Sequence, residues 1–81
     1  MKVISVTQCK YNDKGLVENI DTILVNPNFI ITVENIESFG GKNNFTELSQ
    51  MISKITISHG MQTSFLFCIE TQEEIEQLIN N

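Results

Sequence analysis

Arginine, alanine and tryptophan are missing from this chain of 81 residues, and proline and histidine occur once each. The lack of arginine removes the side chain best suited to forked contacts with phosphate. The five lysines (Lys2, Lys10, Lys14, Lys42 and Lys54) are scattered, and the formal net charge is −5. An acidic chain without a basic stripe excludes nucleic acid from the expected partners. The two cysteines, Cys9 and Cys68, match no metal-binding spacing and are too few for a disulfide framework. No apolar run approaches the length of a membrane span, so no membrane partner is expected. Met1-Lys2-Val3 leads directly into a strand pattern, without the apolar stretch of a secretory leader. The expectation is a cytoplasmic protein whose thiols stay reduced and fill core positions as small hydrophobes.

Size adds a further bound. One small domain over residues 1–81 is expected. A chain of this length buries only about 60–65% of its unfolded surface. With neither a metal nor disulfides to help, oligomerisation is the common remedy, and a symmetric homo-oligomer is expected.

What is present is clearest at the C-terminal end. Lys54-Ile55-Thr56-Ile57-Ser58 alternates polar with apolar, as a half-buried strand does. His59-Gly60 follows as a turn, with Gly60 supplying positive φ. Thr63 to Ile69 then reads as a strand apolar on both faces: Phe65, Phe67 and Ile69 on one, Leu66 and Cys68 on the other. Thr71-Gln72-Glu73-Glu74 is a capping box that opens a helix, and Ile75, Leu78 and Ile79 form its apolar stripe.

The front half is less regular. Met1 to Cys9 reads as a strand with Ile4, Val6 and Gln8 on one face and Val3, Ser5, Thr7 and Cys9 on the other. Asn12 to Gly15 is a turn, and Leu16-Val17 extends the hairpin toward a second strand over Asp21 to Val25. Asn26-Pro27-Asn28 breaks that strand. A third runs from Phe29 to Val33, with Ile36 ending the apolar material. Glu37 to Asn44 reads as a loop by composition. Phe45, Leu48, Met51, Ile52 and Ile55 fit a helical stripe, which predicts a short helix within 45–53; a long irregular hairpin arm ending in a strand is the alternative. The fold expected is α+β: a twisted antiparallel sheet of about five strands with a C-terminal helix.

Candidate chemistry is sparse. His59 reads first as a turn residue and second as a partner contact. Gly40-Gly41-Lys42 lacks the leading glycine of a phosphate-binding loop and has Asn43 where Ser or Thr holds magnesium. Lys42, Asn43 and Asn44 still form a polar loop, and Phe45 or Tyr11 offers an aromatic surface beside it. The cluster Glu70, Glu73, Glu74 and Glu76 is explained by helix capping and the helix dipole. No nucleophile has a base motif near it, so no enzyme activity, cofactor or metal is expected.

The run from Ile20 to Ile79 resembles the FlbD-like small bacterial and phage proteins. Ile23-Leu24-Val25-Asn26 and Ile30 to Glu34 carry the first half of the resemblance. Ile55-Thr56-Ile57 with Gly60, then Ile69, Glu70, Glu74 and Ile75, carry the second. Glu37 to Ser53 stands as an insertion in that pattern, and the loop from Lys10 to Asn19 is long. The resemblance implies the α+β fold, a link to flagellar and swarming motility, and no catalytic residues. Similar short proteins are frequent in phages and mobile elements of Bacteroidetes-type genomes, which the isoleucine- and asparagine-rich composition suits. The LytTR type of DNA-binding domain shares the closing rhythm but needs basic residues that are lacking here.

Three functions remain as expectations. The first is a non-enzymatic binding module, a phage or mobile-element accessory protein that captures or inhibits a host protein in the host cytoplasm, as an anti-defence factor does. The second is an oligomer that sequesters a small nucleotide signal between subunits, using Lys42, Asn43, Asn44, Phe45 and Tyr11. The third is a motility-associated regulatory or structural subunit. The residues expected to contact a partner or ligand are Lys42, Asn43, Asn44, Phe45, His59 and Tyr11.

Overall fold

Alternating apolar residues, bounded by turns built on Asn and Gly, produce a single mixed-length set of antiparallel strands. The computed structural model describes residues 3–40 and 49–81. Strands β1 (Ile4–Tyr11), β2 (Val17–Val25), β3 (Ile30–Phe39), β4 (Ser49–His59) and β5 (Gln62–Cys68) form one sheet in the order β2-β1-β5-β4-β3. A 3-10 turn at Pro27–Phe29 separates β2 from β3, and helix α1 (Gln72–Asn80) closes the chain. The fold is α+β, as the alternation and the capping box predicted.

The turns follow from their side chains. The Asn12 carboxamide oxygen accepts from the backbone N–H of Lys14 and of Leu16, at 2.9 and 3.0 Å, and so closes the β1–β2 loop. Asn26 caps the 3-10 turn by accepting from the Asn28 N–H, with Pro27 at the first position. His59 pairs with Gln62, so Gly60-Met61 is a two-residue turn; Gly60 holds φ +78° there. The Thr71 hydroxyl accepts from the Glu74 N–H, and the Glu74 carboxylate accepts from the Thr71 N–H. Gln72 donates its N–H to the Asn35 side chain at 2.8 Å, which ties the start of α1 to β3.

Because strand side chains alternate, the sheet presents two faces, and each has a core. Ile4, Val6, Val25, Ile55, Cys68 and Ile75 are buried together on the helix side, with Leu66, Leu78 and Ile79 packed against them. On the other face Cys9, Val17, Ile52 and Ile69 are buried together with Ile36 and Phe67 against them. The apolar stripe of α1 is therefore docked, which a helix this short requires.

The second face is closed by contacts between distant parts of the chain. Val17, at the start of β2, bridges Gly40, just past the end of β3, so the two outermost strands meet at one point. Gly40 has φ +91°, and a Cβ there would lie 2.9 Å from the Val17 carbonyl oxygen. Only glycine satisfies both the backbone angle and the approach. Gln50 donates its side-chain N–H to the Gly40 carbonyl. Nearby, the Tyr11 and Ser38 hydroxyls are hydrogen-bonded at 2.6 Å, which satisfies the buried Ser38.

The seam between β1 and β5 is short, with only Gln8 opposite Cys68 and Cys9 opposite Phe67 in register. Glu70 extends it. Its carboxylate accepts from the Thr7 N–H at 2.7 Å and the Thr7 hydroxyl at 3.1 Å, while the Ile69 N–H donates to the Thr7 carbonyl. A side chain thus satisfies a backbone donor where the strand has run out.

Several boundaries differ from expectation. Residues 37–39 continue β3 and are not loop: Glu37, Ser38 and Phe39 pair with Met51, Gln50 and Ser49. Residues 49–53 are strand and not helix, while 45–48 lie outside the described residues. Ile52 and Ile55 fit a helical stripe, yet they belong to opposite cores, and tertiary burial decides between the two periods. Phe29 falls in the 3-10 turn, and β1 runs on to Tyr11.

Candidate functional site

Burial disposes of the thiols first. Desolvation, reinforced by the nearby Cys68 and Glu70, pushes the Cys9 thiol up to about 11. Burial does the same to Cys68, to about 11, although the Ser53 hydroxyl at 3.0 Å partly opposes it. Both stay protonated near neutrality and are poor nucleophiles. Among the described residues no three His, Cys, Asp or Glu side chains gather as a metal site would need.

The expected contact residues fall in separate places. Lys42, Asn43, Asn44 and Phe45 lie outside the described residues. His59 ends β4 at the hairpin tip, where its Nε2 and the Ser64 hydroxyl are 2.7 Å apart. Tyr11 lies near the other end of β5. Its ring meets Phe67 edge-on with centroids 5.6 Å apart, and Phe67 meets Phe65 in the same way. The Lys54 ammonium sits 4.5 Å over the Phe65 ring. This aromatic ladder covers the second core, and its polar atoms already have partners.

The acidic cluster also divides. Glu70 serves the β1–β5 seam, Glu74 the cap and Glu73 the first turn of α1. Glu76 has none of these roles. It is exposed on α1 and helps to line an open cleft of about 220 Å³ with Val33, Gln72, Ile75 and Ile79.

That cleft runs between α1 and β3. Its floor is apolar, from Val33, Ile75 and Ile79, and its rim is polar, from Gln72 and Glu76. The helical spacing of Gln72, Ile75, Glu76 and Ile79 puts all four on one flank of α1. The opposite flank, with Ser5, Glu70 and Leu78, borders a second and more polar cleft of about 290 Å³.

β3 is the last strand in the sheet order and pairs with β4 along its length; its outer side meets β2 only past its end, at the Val17–Gly40 bridge. Its outer backbone groups therefore have no strand partner among the described residues, and they lie beside the apolar-floored cleft. An edge strand flanked by a helix is the geometry in which an extended peptide adds to a sheet and places alternate side chains in a groove. Sequence reasoning placed Val33 in the third strand, Ile75 and Ile79 in the apolar stripe of the helix and Glu76 with the helix dipole. The only signal of a groove was that Gln72 and Glu76 share a flank with Ile75 and Ile79.

Comparison with known protein families, with curated proteins and with solved structures finds no match to this chain. The class that the fold defines is a small antiparallel α+β sheet with an open edge beside its helix.

Proposed function

We propose that this chain is a non-enzymatic binding module, an accessory protein of the phage or mobile-element type that captures a host protein by taking one of its extended segments onto β3. One observation carries the reading: the outer edge of β3, which has no strand partner among the described residues, and the apolar cleft under α1 lie side by side. Main-chain hydrogen bonds along the edge supply affinity, and the cleft supplies selectivity for an inserted side chain. The inert thiols and the dispersal of the acidic residues into structural roles favour binding over catalysis. The mobile-element setting rests on small size, acidity and composition.

The test is capture from bacterial lysate by the tagged chain and by a Gln72→Trp variant. Gln72 is exposed at the mouth of the cleft, so tryptophan fills the site without entering the core. The reading predicts one host protein retained by the parent chain and lost from the variant at unchanged Tm. Equal retention by both chains contradicts it.

A further inference from the structure

We infer that the segment received by β3 is basic, extended and foreign: a strand with Lys or Arg beside one apolar residue on a single face, supplied by another protein and not by a second copy of this chain. This rests on the binding-module reading and names the partner's chemistry.

Among the described residues the charges on the two elements that form the site are of one sign. On the helix side β3 carries Glu37 and the cleft flank of α1 carries Glu76, and neither element contains a lysine; Glu34 faces away from α1 and Glu74 is held in the cap. Lys54 stands opposite Glu34 on β4, but its ammonium lies over Phe65 on the face away from α1. Alternation puts Glu37 on the helix side with Val33, so one acid lies along the edge and another, Glu76, on the rim of the cleft. A strand whose cations point to those acids, with one apolar side chain over Val33, Ile75 and Ile79, matches both the charge and the floor.

A second copy brings the wrong charges. Its β3 repeats Glu34 and Glu37, and its other edge, β2, carries Glu18 and Asp21 without a lysine. Like charges facing one another across a strand pair are destabilising. The bulges separate the two edges further. In β2 the unpaired Ile20 interrupts the middle of the strand, which blunts that edge. In β3 the bulge at Ile31 lies near the start, and Thr32 to Phe39 keep an unbroken register with β4. The long regular edge is the one beside the helix.

The experiment titrates ¹⁵N-labelled protein with two short capped peptides of equal length, Lys-Thr-Val-Thr-Lys (Lys–Val) and Glu-Thr-Val-Thr-Glu (Glu–Val), in which the charged residues share one face with Val. The inference predicts that the Lys–Val peptide moves the amide resonances of Thr32 to Glu37 and of Gln72, Ile75, Glu76 and Ile79. It also predicts binding at least about tenfold tighter than for the Glu–Val peptide, and weakening as salt rises. Charge reversal at two exposed positions, Glu37→Lys with Glu76→Lys, reverses the preference. Equal response of β3 to both peptides overturns the basic partner and leaves the binding-module reading standing. Response to neither, or response only elsewhere on the sheet, overturns the docking geometry on which both depend. A sedimenting dimer with protected β3 amides overturns the foreign partner.

Discussion

The two faces of the sheet reach the same degree of burial by different means. On the helix face, Ile55 and Cys68 are covered by an element that follows directly in sequence, held by the Thr71–Glu74 capping box. On the opposite face, Ile52 and Ile69 are covered because distant segments meet: Val17 with Gly40, and Tyr11 with Ser38. One face is assembled from local signals and the other from long-range coincidences. Local signals can be read from a sequence, whereas coincidences cannot.

The largest expected effects come from breaking each core at its centre. Ile55 and Ile52 are both fully buried, at 0% exposure. Ile55→Ala and Ile52→Ala should each cost about 2–5 kcal/mol in urea unfolding, through lost burial and the cavity left behind. If Ile52→Ala cost far less than Ile55→Ala, the second face would be a surface cluster and not a core. Next come the glycines. Gly40→Ala meets a left-handed backbone and the Val17 carbonyl at 2.9 Å, whereas Gly60→Ala meets the backbone angle in open space. The first should lose about 2–3 kcal/mol and the second about 1 kcal/mol. Equal losses would mean that the Val17–Gly40 approach contributes nothing.

A finer comparison uses one hydrogen-bonding group from each face. Thr71→Ala removes the cap of α1 and should cost about 1 kcal/mol. Tyr11→Phe leaves the buried Ser38 hydroxyl without its partner and should cost about the same. Thermal unfolding of the two variants and of their double mutant should show additive losses, because the sites share no contacts.

A last comparison appears only in alkali. Each face buries one thiol, Cys68 on the helix side and Cys9 on the other, and each is raised from 9.0 to about 11. A raised folded value means that the native state holds protons the unfolded chain has released. The thiol contribution to stability is thus complete below pH 9 and lost as pH climbs from 9 toward 11. Denaturant midpoints should fall across that window, and a Cys9→Ser, Cys68→Ser variant should fall less steeply.

The asymmetry between the faces also sets how much was legible. Gly60, the Thr71 capping box and the Ile75–Leu78–Ile79 stripe each announce their role within a few residues, and the structure places them as expected. Met51, Ile52 and Ile55 fit the helical period, and only the partners Ile36 and Leu66 show that Ile52 and Ile55 face opposite ways from a strand. Gly40 resembled a fragment of a phosphate loop because the strand end it meets lies over twenty residues away. The candidate site was hidden for a related reason. Val33 and Ile79 carry ordinary core identities, and it takes the position of β3 at the sheet edge to turn them into the floor of a cleft.

The central claim is that β3 keeps its outer edge open for a foreign strand while β2 does not. Amide hydrogen exchange followed residue by residue, with and without the captured partner, tests it directly. The account predicts slowed exchange over Thr32 to Phe39 and in the first two turns of α1, with β2 unchanged. Protection of β2 or of the aromatic ladder around Phe65, with β3 unaltered, would contradict it.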